Sequence, residues 1–284
     1  MDTKELMGHV KDSTQFHVPN GSAEGQHLYI RQIPVEYGGY NPKTYEGFRI
    51  SKFMVLELVV ALILLFIFIP LARKIKKGMP PKGRWWNLIE SMLVFMRDDV
   101  ARPAIGGKEA DRFLPFIWTI FFFVLVCNLL GMVPWAGSPT GSWSVTSALA
   151  LMTFLVVIIS GMRKFGPVGF WIGQVPHMEL PLAIAIVIKP MIFIIEILGL
   201  LIKHFVLSVR LLANMFAGHL VLAVIIGFIV MALETHVVIW SGVMVSSVIG
   251  ATLLSFLELF VAFLQAYIFA FLSALFIGMA VHQH

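Results

Sequence analysis

Charged residues are scarce in this chain, and cysteine is almost absent. Only 13% of the 284 residues are charged, whereas 58% are hydrophobic. Such a composition does not fit a soluble domain with a charged surface, so most of the chain is expected to lie in lipid. The single cysteine, Cys127, lies within the apolar run FFFVLVCNLL and therefore excludes an internal disulfide.

Features of several other protein classes are also missing. The chain has no alternation of apolar and polar residues of the kind that marks a membrane β-barrel. Its first thirty residues contain neither the apolar core of a cleaved signal nor the arginine-rich composition of a transit peptide, so no processing is predicted. The net charge of +5 does not predict a nucleic-acid partner, because the basic residues lie in short segments beside apolar runs.

What the chain does contain is long apolar runs, at residues 53–70, 113–133, 145–161, 180–233 and 237–281. One membrane crossing needs about 20 apolar residues. The first three runs predict single crossings, and the last two are each long enough for a strongly tilted helix. The predicted fold is therefore an all-α membrane protein with about five transmembrane helices, the last two forming a long tilted hairpin at about 180–282.

The distribution of basic residues predicts the orientation of the chain. The segment RKIKKGMPPKGR, between the first two runs, has six basic residues and no acidic one. Short basic loops stay on the cytoplasmic side of a membrane. Residues 1–50, a polar N-terminal tail, are then expected outside, and residues 51–284 form the membrane domain with a cytoplasmic C-terminus.

One further helix is predicted between the basic segment and the second run. In WWNLIESMLVFMRDDV, apolar residues recur at intervals of three and four, which is the pattern of an amphipathic helix. Trp85, Leu88 and Met92 belong to its apolar side. A helix of this kind lies flat in the membrane interface.

The stretch HFVLSVRLLANMFAGHL places an arginine, Arg210, deep within the fourth apolar run. An ionised arginine at the bilayer centre costs about 2.5 to 3.5 kcal/mol on insertion scales, so it requires a functional or structural reason. Four charged residues follow one another at intervals of seven: Lys189, Glu196, Lys203 and Arg210. Seven residues make nearly two full turns of a helix, so each side chain is rotated by only about 20° about the helix axis relative to the one before it. They predict one slowly winding polar stripe, and Asn214 is a near neighbour of Arg210 on the same face.

The returning run carries two more polar residues, Glu258 and Gln265, again seven apart. In an antiparallel hairpin with its turn near residue 238, His219 lies level with Glu258, and Arg210 lies level with Gln265. The segment LETHVVIWSG interrupts the apolar pattern at that place. The two runs are therefore expected to bring these polar side chains together in pairs.

The chemistry of the pairs suggests proton transfer. Imidazole and carboxyl groups have ordinary pKa values of about 6.5 and 4.3, so His219 and Glu258 can pass protons through water. Arg210 cannot take part, because a guanidinium is effectively never deprotonated. It can repel hydronium and favour the ionised form of a carboxylate that approaches it. A fixed cation with Glu196 toward the inside and His219 toward the outside suggests two access paths that do not connect.

Three segments resemble one known family. EILGLLIKHFVLSVRLLANMFAGHL is closely similar to the signature of subunit a of F-type ATP synthases, in which an arginine, an asparagine four residues later and an Ala-Gly pair recur. LPFIWTIFFFVLVCNLLGMVP resembles the second span of that family, and SFLELFVAFLQAYIF resembles its final helix. The resemblance covers roughly residues 85–282.

This resemblance implies a non-catalytic stator subunit of a rotary ATP synthase. A bacterial inner membrane is expected rather than an organelle, because the chain shows no transit peptide. Its implied partners are a rotating ring of c subunits, the peripheral-stalk b subunits and the rest of the complex, with no cofactor or metal. Arg210 would face the ring carboxylate and prevent a direct leak. Around it, the resemblance implies an outer half-channel at His219 and Glu258, an inner one at Glu196, and Asn214 and Gln265 beside the arginine. Many bacterial members of the family carry the acid and the histidine in exchanged positions.

Two other functions remain as alternatives. A self-contained transporter or ion channel would bind its substrate at broken helices near the midplane, and Pro190 is the main candidate for such a break. A membrane metalloenzyme is suggested by histidines at His177, His236 and His282, but no HExxH spacing occurs. These histidines fall at predicted loops or at the terminus, where a solvated side chain is expected.

Overall fold

The computed structural model describes residues 15–18, 26–29, 52–76, 83–133, 137–175, 182–234 and 236–282. Most of these residues are helical. Five of the described helices are long and apolar enough to cross a membrane, which confirms the predicted all-α membrane fold.

The helices follow the apolar runs closely. They are α1 (Lys52–Lys76), α2 (Arg84–Phe95), a π-helical turn (Met96–Ala101), α3 (Arg102–Ile105), α4 (Gly107–Gly131), a 3₁₀ turn (Pro139–Gly141), α5 (Trp143–Phe165), α6 (Pro167–Ile172), α7 (Leu182–Met231), a second 3₁₀ turn (Ala232–Glu234) and α8 (Val237–Val281). The potential spans are α1, α4, α5, α7 and α8. Basic residues occupy the last turns of α1 and α5, where they complement the negative end of the helix dipole.

The polar tail contains a small feature that the sequence analysis did not identify. Strands β1 (Gln15–Val18) and β2 (Gln26–Tyr29) pair antiparallel, with Gln15 opposite Tyr29 and Val18 opposite Gln26. This two-stranded sheet is short and is an addition to the helical fold. The rest of the tail lies outside the described residues.

The chain is organised as two compact units, each built from three segments. The first unit comprises Met1–Phe66, Leu125–Ser142 and Leu212–Phe263. The second comprises Ile67–Val124, Trp143–Leu211 and Leu264–His284. The helices α1, α4, α7 and α8 each contribute residues to both units, whereas α5 belongs to the second.

A buried polar network joins two of the three segments of the first unit, Leu125–Ser142 and Leu212–Phe263. The Asn128 side-chain amide on α4 donates to the Ala262 carbonyl on α8 at 3.2 Å and accepts from the Thr140 hydroxyl at 2.8 Å. Thr140 in turn lies 2.8 Å from the Ser138 hydroxyl. Because buried polar groups need hydrogen-bond partners, this network fixes the loop before α5 against both helices.

In the second unit, α2 and α3 pack against α4 and α8. The indole nitrogen of Trp118 donates to the Leu93 carbonyl at 3.1 Å, and the Phe95 and Tyr267 rings are 5.9 Å apart. A Cβ at Gly278 would overlap the Ala104 carbonyl oxygen, so the close approach of α8 to α3 requires glycine. The predicted amphipathic helix is therefore present as α2, and its Trp85 is 79% exposed.

The connection between the two longest helices lies earlier than predicted. Helix α7 ends at Met231 and α8 begins at Val237, so the turn precedes the expected position near residue 238. That estimate assumed that the two antiparallel helices have aligned axes and the same rise per residue. Packed helices cross at an angle, and the residues that lie level then shift along one helix relative to the other.

Candidate functional site

The first unit brings together the histidine and the glutamate that the sequence analysis paired. His219 Nδ1 on α7 lies 3.3 Å from Glu258 Oε1 on α8. The Glu258 side chain is 7% exposed and that of His219 is 21% exposed. The predicted juxtaposition of these two side chains is therefore present. A buried carboxyl group beside a more accessible imidazole can take up a proton from it or return one.

Gly218 explains how the carboxylate of Glu258 reaches α7. A Cβ at residue 218 would lie 2.7 Å from Glu258 Oε1 and 3.1 Å from its Cδ. The first distance is closer than van der Waals contact allows. Glycine immediately before His219 thus leaves the space that the Glu258 carboxyl group occupies.

We expect Gly218→Ala to destabilise the protein, because the added methyl group must displace the Glu258 carboxyl group. Overpacking of this kind costs about 1 to 3 kcal/mol. The measurement is the thermal unfolding midpoint of the full chain in detergent. Gly227→Ala on the same helix is the matched control, since a Cβ there meets nothing within 4 Å and alanine favours a helix over glycine. Equal midpoints for the two variants would contradict the steric account.

Arg210 lies on α7 in the second unit and is half-buried. Among the residues that the structure describes, none forms an ion pair or a hydrogen bond with its guanidinium. Gln265, which the hairpin argument placed level with it, is 2% exposed on α8 in the same unit. Helix α7 is continuous from Arg210 through Asn214 to His219, and nine residues correspond to a rise of about 13 to 14 Å.

The other members of the predicted polar stripe also lie on accessible parts of α7. Glu196 is half-buried, and Lys189 and Lys203 are exposed. Within the described ranges none of the three forms an ion pair. The stripe therefore occupies a face of α7 on which no residue of the described ranges pairs with these charges.

A buried polar face on the other side of α7 was not predicted. His204 is 3% exposed, its Nδ1 lies 2.8 Å from the Leu200 carbonyl, and its ring lies 5.2 Å from that of Phe154. One turn later, Ser208 donates to the Thr146 hydroxyl on α5 at 3.2 Å. In the sequence, His204 and Ser208 are four residues apart within an apolar run, and this spacing indicates that they share one face of the helix. It differs from the Arg210 stripe because its polar groups point into the protein.

The His282 side chain is 54% exposed, as expected for a histidine at the terminus, but its ring also contacts neighbouring helices. Its Nε2 lies 2.7 Å from the Ile105 carbonyl and 3.7 Å from Glu109 Oε2. Helix α8 extends far enough to bring this ring to the end of α3 and the start of α4. His236 is exposed, as expected, and His177 lies outside the described residues.

Comparison with known proteins gives a consistent result. The model of the family described as ATP synthase A chain matches residues 54–278, which include all six candidate residues from Glu196 to Gln265. The chain belongs to the ATP synthase A chain family. ATP synthase subunit a of Myxococcus xanthus (strain DK1622) is 38% identical over 282 residues, covering 97% of this chain and 88% of the relative. The subunit a of Chloroherpeton thalassium (strain ATCC 35110 / GB-78) is 40% identical over 250 residues, covering 87% and 69%.

Membership of the ATP synthase A chain family identifies the general role of the protein. It is a non-catalytic, proton-translocating membrane subunit of an F-type ATP synthase and belongs to that complex. With five helices able to cross a membrane and bacterial relatives, it is a multi-pass bacterial membrane protein. The resemblance found in the sequence is thereby confirmed.

Proposed function

We propose that this chain is the stator that provides two offset half-channels for protons to and from a rotating ring of c subunits. Arg210 separates the half-channels and prevents a direct leak. The observation that carries the proposal is the position of Arg210, a cation on a membrane helix with no anionic partner among the described residues.

Because no described residue supplies a counter-charge to Arg210, we infer that another chain supplies it. A permanent charge within an apolar helix is costly unless it is paired. A ring subunit that presents a carboxylate to Arg210 would supply the pair, and the cation would keep that carboxylate ionised. Once the ring carboxylate has taken up a proton it is neutral and can move into lipid. Arg210 thus forces each ring subunit to release its proton before it passes.

His219 and Glu258 form the outer half-channel in this proposal. Their 3.3 Å contact lets a proton move between imidazole and carboxyl groups, or through one water molecule. Both residues titrate, unlike Arg210, so the pair can load a proton from the outside. The relay lies on the same continuous helix as Arg210, nine residues farther along the chain.

Glu196 forms the inner half-channel. It lies fourteen residues before Arg210, or about 21 Å along α7, and it is half-buried, so water can reach it. Asn214 and Gln265 carry neutral amide groups that can hydrogen-bond a ring carboxylate without adding charge. The two half-channels therefore differ in chemistry from the segment between them, which holds a fixed cation and amides.

The orientation follows from the basic helix ends. Arg73, Lys74 and Lys76 end α1, and Arg163 and Lys164 end α5. The positive-inside rule places both ends in the cytoplasm, with residues 1–50 outside and the C-terminus inside. Residues 51–284 form the membrane domain, and peripheral-stalk b subunits would hold it in place against the torque of the ring.

A self-contained transporter explains the structure less well. That function needs discontinuous helices at the midplane, but α7 runs unbroken from Leu182 to Met231 with Pro190 inside it.

Disulfide cross-linking in the assembled complex tests the contact with the ring. In a Cys127→Ala background, Ala217→Cys places a thiol seven residues after Arg210, on the same face of α7 and exposed. With a second cysteine beside the ring carboxylate, we expect an adduct between this chain and a c subunit. Leu151→Cys on α5, which is 56% exposed, is the matched control and should give none. Equal yields at both positions, or none at residue 217, would refute the proposed ring-facing surface.

A further inference from the structure

A basic cavity lies in the second unit, where α4 begins and where α5 and α8 end. Its volume is about 420 Å³. The residues that matter for its chemistry are Glu109, Arg112, Phe113, Arg163, Lys164 and Val281. None of them belongs to the proposed proton path.

The cavity carries an excess of positive charge. Lys164 Nζ lies 2.7 Å from Glu109 Oε1, so these two charges neutralise each other. Arg112 and Arg163 are exposed, and neither forms an ion pair with any residue in the described part of the chain. Two guanidinium groups on different helices thus line one cavity, and among the described residues neither is in direct contact with a carboxylate; Glu109, the acidic residue in the cavity lining, is paired with Lys164. Guanidinium groups bind phosphate oxygens through paired hydrogen bonds.

The level of the cavity along the helices and the apolar residues that line it indicate which class of phosphate compound it would bind. The candidate span of α4 starts at Glu109 and that of α5 ends at Phe165, so we expect the cavity at the level of the lipid headgroups. Phe113 and Val281 add apolar surface beside the arginines. A free phosphate would gain nothing from that surface, whereas a molecule with an acyl chain would.

We propose that this cavity binds the phosphate of an anionic phospholipid through Arg112 and Arg163. Basic pockets between transmembrane helices on the cytoplasmic side suit such headgroups. The lipid would bridge α4 and α5 at the point where Glu109 and Lys164 already join them. This binding is independent of the role of Arg210, so either proposal can fail alone.

The test uses the full chain purified in detergent, with phosphatidylglycerol as the probe and phosphatidylcholine as the comparison. Bound lipid is counted by native mass spectrometry over a range of lipid concentrations. The variant is Arg112→Gln with Arg163→Gln. We expect its apparent affinity for phosphatidylglycerol to fall about 10- to 30-fold, since each cation near an anionic lipid contributes about 1 kcal/mol.

Two further variants make the test specific. Arg73→Gln with Arg84→Gln removes two exposed arginines away from the cavity and should leave the affinity unchanged. Glu109→Gln releases Lys164 from its ion pair and should tighten binding about fivefold, an effect that loss of folding would not produce.

Several results would overturn the proposal. They are equal retention of phosphatidylcholine and phosphatidylglycerol, the same loss of affinity in the Arg73 and Arg84 control, and weaker binding in Glu109→Gln. Displacement of the lipid by millimolar inorganic phosphate or by an acidic peptide would identify a general anion site instead.

Discussion

Replacing Arg210 by alanine is expected to abolish ATP-driven proton pumping and to raise the passive proton leak through the same membranes. A unit charge about 4 Å from a carboxylate contributes about 4 kcal/mol at an effective dielectric constant of 20, which corresponds to about a thousandfold in an equilibrium constant. Without that charge, a ring carboxylate can pass the stator while protonated. The measurement is acidification of inverted vesicles that carry the assembled complex, with leak scored in the same vesicles.

Two variants control for charge and for position. Arg210→Lys keeps the charge but loses the planar guanidinium, so it should block the leak while it pumps poorly. Lys203→Ala removes an exposed cation from the same helix, and pumping should remain. Intact pumping in Arg210→Ala would mean that the arginine is structural. Lost pumping with an unchanged leak would refute the barrier role.

The second large effect is expected for Glu258→Gln. Glutamine fills the same buried space beside His219 but cannot hold or release a proton. We expect pumping to fall about a hundredfold, in line with the loss of one acid–base group. The leak should not rise, because Arg210 is untouched. The same vesicle assay separates this outcome from that of Arg210→Ala.

An exchange of the two residues tests the relay more directly. His219→Glu combined with Glu258→His keeps one imidazole and one carboxyl group at contact distance, so pumping should recover relative to Glu258→Gln. Glu90→Gln on α2 removes a carboxylate outside the proposed path and should pump normally. Failure of the exchange variant to exceed Glu258→Gln would contradict a relay that depends on the pair.

Much of the fold could be predicted from the sequence because the bilayer imposes a simple requirement. A segment in lipid must satisfy its backbone internally, so an apolar run of sufficient length predicts a helix. The runs at 113–133 and 237–281 appear as α4 and α8 with similar bounds. The turn after α7 was misplaced, since the crossing angle of two helices depends on the side chains between them.

Part of the candidate site could also be predicted from the sequence. Spacing along a helix determines which residues share a face, and polar residues in lipid are rare enough to single out. The pairing of His219 with Glu258 followed from that reasoning. His204 was missed although its spacing of four from Ser208 indicates a shared polar face. Asn128 was missed because a single polar residue in an apolar run does not show whether it points toward a partner or into the core.

The sequence by itself determined the membrane class, the five crossings, the family and the polar residues on α7 and α8, because these depend on composition and on intervals along one helix. Only the tertiary structure decided which groups meet. It showed that Gly218 makes room for the Glu258 carboxyl group and that Arg210 has no partner among the described residues. It also brought His282 to Glu109. Such contacts join residues far apart in the chain, and they depend on how the helices pack.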